Sequence, residues 1–194
     1  APYRANGKPL QVQGFLGAFE RTARRNAAQL ASLAGFGVKL VGLDPAMTLV
    51  YRQEYPKVPG IARMPEVLLP QEWLLQVLPK EQKVVGDKVY RLLGHCTEKT
   101  NAPASVSQWQ QVFERLGLGL KPESTGCCGM SGTYGHEARN QATSRTIFDQ
   151  SWAGKLAKDG EALATGYSCR SQVKRMADKQ LRHPLEVVLQ QLLG

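Results

Sequence analysis

Four cysteines in 194 residues are too few for a disulfide scaffold. None of them forms the Cys-x-x-Cys pair that small zinc ribbons use. No apolar run approaches the length of a membrane span, and Ala1-Pro2-Tyr3-Arg4 carries no apolar signal region. A cytoplasmic chain without a membrane span is therefore expected. Basic residues outnumber acidic ones, for a formal net charge of +9, yet no basic cluster is interleaved with aromatics. Arg21, Arg24 and Arg25 fall on one predicted helix, and Lys174, Arg175, Lys179 and Arg182 on another. Such spreading reads as solvated helix faces, so no nucleic-acid partner is expected. Hydrophobic residues at 42% and charged residues at 21% are ordinary for a folded domain, and the chain is long enough to bury a core.

What stands out is Gly126-Cys127-Cys128-Gly129. Thirty residues separate Cys96 from Cys127, and forty separate Cys128 from Cys169. Adjacent cysteines are poor disulfide partners, because a bridge wants alpha carbons further apart than one peptide step. Both can face one centre if the backbone turns sharply between them, and flanking glycines permit such a turn.

Along the chain, Asn6-Gly7-Lys8-Pro9 signals a turn within a polar stretch over 1–14. Phe15, Phe19, Ala23, Ala27, Leu30 and Leu33 predict a helix to Ala34, closed by Gly35 and Gly37. Val38 to Leu43 reads as a buried strand, and Asp44-Pro45 opens a helix to about Tyr55. Five prolines mark a connector over 56–83, with a short amphipathic helix between Pro70 and Pro79. Beyond Val84, strands are expected over 89–93, 118–120 and 162–165. Helices are expected around Val106–Leu116, from Tyr134 to Leu156, from Cys169 to about Arg182, and over Leu185–Leu193. The alternation implies parallel strands with crossover helices. Ligands in such sheets sit beyond the carboxyl ends of the strands. All four cysteines follow the ends of three successive strands, which places four thiols at one sheet edge.

The fold class expected is α/β: two similar Rossmann-like units with parallel sheets and crossover helices, the first incomplete. Gly37–Ala46 parallels Gly160–Cys169, with Ala46 where Cys169 would stand. Gly14–Gly17 parallels Gly132–Gly135, which sets Pro9-Leu10 against Cys127-Cys128. The expected division is a truncated, cysteine-free first unit over 1–60, a Pro-rich connector over 61–83, and a second unit over 84–194. The first copy begins mid-unit, so the chain is expected to be a piece of a longer polypeptide.

Four thiolates from three loops suit an iron–sulfur cluster or zinc. A redox-active thiol pair and a buried inert set are the other readings. His95, just before Cys96, could be a ligand or bond a carbonyl. His136 is expected near the thiols, bonding one or fixing the loop.

Gly94-His95-Cys96-Thr97-Glu98-Lys99, the run from Gly126 to Glu137, and Gly166-Tyr167-Ser168-Cys169-Arg170-Ser171-Gln172 resemble the CCG cysteine-rich domain of heterodisulfide reductases. They are more similar still to the C-terminal region of bacterial FAD-linked oxidoreductases related to D-lactate and D-2-hydroxyglutarate dehydrogenases. The resemblance implies an iron–sulfur cluster, of the 4Fe–4S kind, held by Cys96, Cys127, Cys128 and Cys169. It implies FAD only in an upstream domain, and upstream FAD and ferredoxin-like domains as partners in the same polypeptide. A homo-oligomer is a further expectation. Supporting positions are His95, Gly129, His136, Arg170 and Gln172, with positive charge from Arg170 and Lys174 favouring a reduced cluster. The family motif ends in Cys-x-x-Cys, and Gln172 stands where its last cysteine falls. The chain is thus expected to be an electron-handling module rather than a complete enzyme. The alternative is a docking or assembly domain with structural zinc or metal-free cysteines.

Overall fold

The computed structural model describes residues 4–80, 86 and 88–194. The end of the expected connector and the start of the expected second unit, at 81–85 and 87, lie outside the described residues. The chain divides into two compact units, Ala1–Pro70 and Gln71–Gly194. Both contain helices and a parallel sheet, an α/β architecture.

The first unit opens with α1 (Lys8–Val12) and α2 (Leu16–Ala34). α1 was not expected within the polar 1–14 stretch. Gly7, at φ 79, makes the turn, and Pro9 then sits where a helix accepts proline. β1 (Leu40–Val41) pairs in parallel with β2 (Val67–Leu68), a strand inside the Pro-rich segment. β1 is shorter and more open than the buried strand expected there: Val38 and Leu43 are exposed. Asp44 caps α3 (Pro45–Gln53) by accepting from the Met47 amide at 3.1 Å. Phe19, Ala23, Val50 and Tyr55 form the core of this unit. The Tyr55 hydroxyl donates to Asn6 O at 2.7 Å and accepts from Asn26, fixing the N-terminal segment.

The second unit contains α4 (Pro70–Val77) from Gln71 onward. Its sheet joins β3 (Val89–Leu93), β4 (Gly119–Pro122) and β5 (Ala162–Ala164) in the order β4-β3-β5, all parallel. α5 (Cys96–Asn101) and α6 (Ser105–Arg115) lie between β3 and β4. Between β4 and β5 come two single 3-10 turns, at Tyr134–His136 and Ala138–Asn140. Then follow α7 (Gln141–Phe148), a π-helical turn (Asp149–Ala153) and α8 (Gly154–Leu156). The long helix expected from Tyr134 therefore begins only at Gln141. α9 (Tyr167–Ala177) and α10 (Pro184–Leu193) complete the unit.

Strand alternation divides the core between two faces. Tyr90, Leu92 and Leu163 pack with Leu74, Trp109, Phe113 and Val187 from α4, α6 and α10. Leu93 and Ala164 pack with Phe148, Trp152, Leu156 and Val173 from α7–α9, and Cys128 and Cys169 join this second cluster. Arg91 points away from the first face. Its guanidinium donates to Lys155 O, Lys158 O and Gly160 O at 2.7–3.0 Å, satisfying carbonyls left open where α8 ends.

His183 lies between the helices expected to end near Arg182 and to begin at Leu185, and it caps α10. Its Nδ1 accepts from the Leu185 amide at 3.0 Å, and Glu186 reciprocates by accepting from the His183 amide at 2.7 Å. Burial, and then Arg170, lower its pKa from 6.5 to about 3. The unfolded chain takes up this proton below about pH 6.5 while the folded chain does not. Stability from this group is thus present at neutral pH and is lost as pH falls. Moving from about pH 7 to about pH 5 should cost about 2 kcal/mol through this residue. Urea titrations of His183→Asn, a residue that caps without titrating, should show that part of the pH dependence removed.

Candidate thiol site

β3, β4 and β5 each deliver cysteine past the carboxyl end: Cys96 opens α5, Cys127 and Cys128 follow β4, and Cys169 lies in the first turn of α9. The structure brings all four together as free thiols. They contact in the order Cys96–Cys127–Cys128–Cys169 through side-chain hydrogen bonds. Cys96 and Cys127 are half-buried, whereas Cys128 and Cys169 are buried.

Charge concentrates at the middle of this row. Hydrogen bonds from Cys128 and Cys96 hold Cys127 far below the usual thiol range, with help from the Gly129 amide and from His95. Cys96 is pushed far up by its contact with Cys127 and then by burial, and Cys128 by its contacts with Cys127 and Cys169 and then by burial. The Gly129 N–H donates to Cys127 Sγ at 3.3 Å, and the Met130 amide bonds to Cys128. Backbone amides aimed at sulfur stabilise thiolate.

The loop Gly126–Gly129 is gripped by the α7–α8 helix. Gly126 N–H donates to Ser151 Oγ at 2.7 Å, and Trp152 Nε1 donates to Gly126 O at 3.2 Å. Both partners lie in the π-helical turn, a deviation that recurs at functional sites. Ser144 Oγ donates to Gly129 O at 2.8 Å. Gly129 has φ 88, and a Cβ there would lie 2.3 Å from Ser144 O. Gly166 is required for space: a Cβ would lie 2.3 Å from His95 Cδ2 and 3.2 Å from Cys169 Sγ.

His95 caps α5, its Nδ1 accepting from the Thr97 amide at 3.2 Å. That leaves the proton on Nε2, 3.3 Å from Ser168 Oγ. His136 is exposed, and its Nδ1 stands 3.4 Å from Arg175 Nη1. Arg170 is tied to the end of β5, donating to Ala164 O and Thr165 O at 3.0 Å. Lys174 is exposed. Gln172 is fully buried and donates to Ser144 Oγ at 2.8 Å.

Three further residues support the site without having been singled out from sequence. Glu98, in the first turn of α5, is buried, with its pKa raised by burial against hydrogen bonds from Ser105 and Thr165. Lys99 ties α5 to the cysteine loop by donating to Thr125 O. Ser144 is the third. It lies four residues before Phe148 in the stripe that continues through Trp152 and Leu156, so a lone serine on an apolar helix face was the available signal.

Four sulfur donors match the preference of zinc and of iron–sulfur clusters for thiolate. Among the described residues, no three His, Cys, Asp or Glu side chains are disposed to hold a metal ion as they stand. The sulfurs adjoin one another in sequence, from Cys96 through Cys127 and Cys128 to Cys169. No helix among the described residues is long and apolar enough to cross a membrane.

No protein-family model matches the chain, and no solved structure matches it. Named relatives do. The chain is 74% identical over 190 residues to a D-2-hydroxyglutarate dehydrogenase of Pseudomonas putida, covering 98% of this chain and 19% of that protein. It is 42% identical over 193 residues to a D-2-hydroxyglutarate dehydrogenase of Escherichia coli, covering 97% of this chain and 19% of that protein. One subunit of the anaerobic glycerol-3-phosphate dehydrogenase of Escherichia coli is 24% identical over 199 residues, covering 96% of this chain and 49% of that polypeptide. The chain thus spans about a fifth of the length of the D-2-hydroxyglutarate dehydrogenases it matches, and is similar to part of proteins named as oxidoreductases.

Proposed function

We propose that this chain is the cysteine-rich electron-transfer module of a flavin-linked 2-hydroxy-acid dehydrogenase, with Cys96, Cys127, Cys128 and Cys169 as the ligands of a 4Fe–4S cluster. The convergence of four thiols on one edge of a parallel sheet carries this reading. Similarity to proteins named D-2-hydroxyglutarate dehydrogenase suggests a 2-hydroxy acid as the substrate of the whole protein. The FAD and ferredoxin-like domains would then be supplied by the rest of that polypeptide, with this module at its C-terminal end.

A cluster bound here would take up and release single electrons. The protein's part is to hold its ligands and set their charge. Backbone amides at Gly129 and Met130 donate to sulfur and lower its basicity. The apolar cluster around Phe148, Trp152 and Val173 keeps water from Cys128 and Cys169. Metal analysis of anaerobically purified protein tests the assignment. Iron and acid-labile sulfide in similar amounts are expected. Stoichiometric zinc would overturn the cluster in favour of a structural site in a docking domain.

A further inference from the structure

α9 carries more than a thiol. Cys169, Gln172 and Arg175 follow at intervals of three and share one side of the helix. Gln172 is fully buried, and its Nε2 donates to Ser144 Oγ at 2.8 Å. Ser144, also fully buried, donates its single proton to Gly129 O at 2.8 Å. With that proton committed, Ser144 can only accept from Gln172, which fixes which end of the amide faces it. Arg175 adds a second tie, donating to Gly135 O at 2.9 Å. The Gly135 N–H in turn donates to Met130 O at 2.9 Å, directly after the cysteine turn.

We propose that Gln172 and Ser144 are positioning residues: their relay latches the Cys127–Gly129 turn to the helix that carries Cys169. The value of this latch for metal binding rests on the proposed function, but the latch itself does not. Position 172, where the family motif has a cysteine, then serves by holding ligands in place rather than by being one. Ordinary packing would need no donor at 172, and methionine would fill similar volume. A relay needs the amide N–H, the serine hydroxyl and the reach of glutamine.

The test uses the metal-free, reduced 194-residue chain, so that it stands whatever metal the site takes. Alkylation of each cysteine is timed by mass spectrometry at fixed pH, with half-buried Cys96 as the internal control. Ser144→Ala and Gln172→Met should each speed alkylation of buried Cys128 relative to Cys96, by on the order of tenfold for a lost buried hydrogen bond. Gln172→Asn keeps the amide but shortens its reach, and should behave as Gln172→Met does. The double variant should be no faster than Ser144→Ala, because partners in one relay do not add. Unchanged Cys128 rates would overturn the proposal, as would additive effects. Loss of the folded circular dichroism signal in all three single variants would also overturn it, since the residues would then serve the fold rather than the turn.

Discussion

Gly129→Ala is expected to be among the most damaging single-methyl changes in this chain. The residue sits at φ 88, where a side chain strains the backbone, and the new Cβ would lie 2.3 Å from the Ser144 carbonyl oxygen. That oxygen belongs to α7, so it cannot swing aside as a side-chain tip could. Backbone strain of about 1–3 kcal/mol adds to overpacking of about 1–3 kcal/mol. The sum is a large share of the stability of an ordinary domain. Two other glycines calibrate the effect. Gly132, at φ 66, has nothing within 4 Å of its added Cβ, so Gly132→Ala should cost only the backbone part. Gly154 sits in helical conformation with equally open space, so Gly154→Ala should stabilise by about 0.5–1 kcal/mol. Urea midpoints of the three variants should rise in that order. A Gly129→Ala midpoint equal to that of Gly132→Ala would show that the turn yields without cost.

Cys127→Ser should have the largest effect on metal content. Cys127 is bonded to two other thiols and accepts from the Gly129 amide, and the charge of the row rests on it. A serine hydroxyl keeps the size but does not ionise near neutral pH, so the proposed anionic ligand would be lost. Removing a ligand should weaken metal binding by more than the roughly 10–100-fold that loss of a supporting partner costs. Iron and zinc in the purified variant should both fall to background. Because half-buried Cys96 stands at the open end of the row, Cys96→Ser should be less disruptive to the fold of the metal-free chain than Cys128→Ser. Iron content unchanged in Cys127→Ser would reject Cys127 as a ligand.

The thiol edge was legible from sequence because it depends on topology. Three strands of the right spacing, each followed by cysteine, sufficed to place the four sulfurs, and β3 falls where Val89–Leu93 was read. Asp44-Pro45 and Gly35 likewise marked helix ends by local chemistry that tertiary contacts did not override. Short elements escaped. α5 has six residues, too few to show a helical period, and its cap is a histidine rather than a usual capping residue. β1 and β2 are two residues each and owe their pairing to one another. The polar supports were hidden for a different reason. Gln172 and Ser144 lie 28 residues apart, so nothing local connects them. Glu98 is buried because Ser105 and Thr165 come from separate elements to meet it. His136, expected to bond a thiol or fix the loop, stands beside Arg175 in the single 3-10 turn Tyr134–His136.

Reduction of the loaded protein probes the proposed electron-transfer role most directly. The chain is produced and kept without oxygen, reconstituted with iron and sulfide, and its visible spectrum recorded before and after dithionite. A brown protein whose broad absorption bleaches on reduction and returns on reoxidation is the predicted result, and Cys127→Ser should show neither colour nor bleaching. A wild-type protein that remains colourless after reconstitution within the full-length polypeptide as well would contradict the cluster, and with it the electron-transfer role.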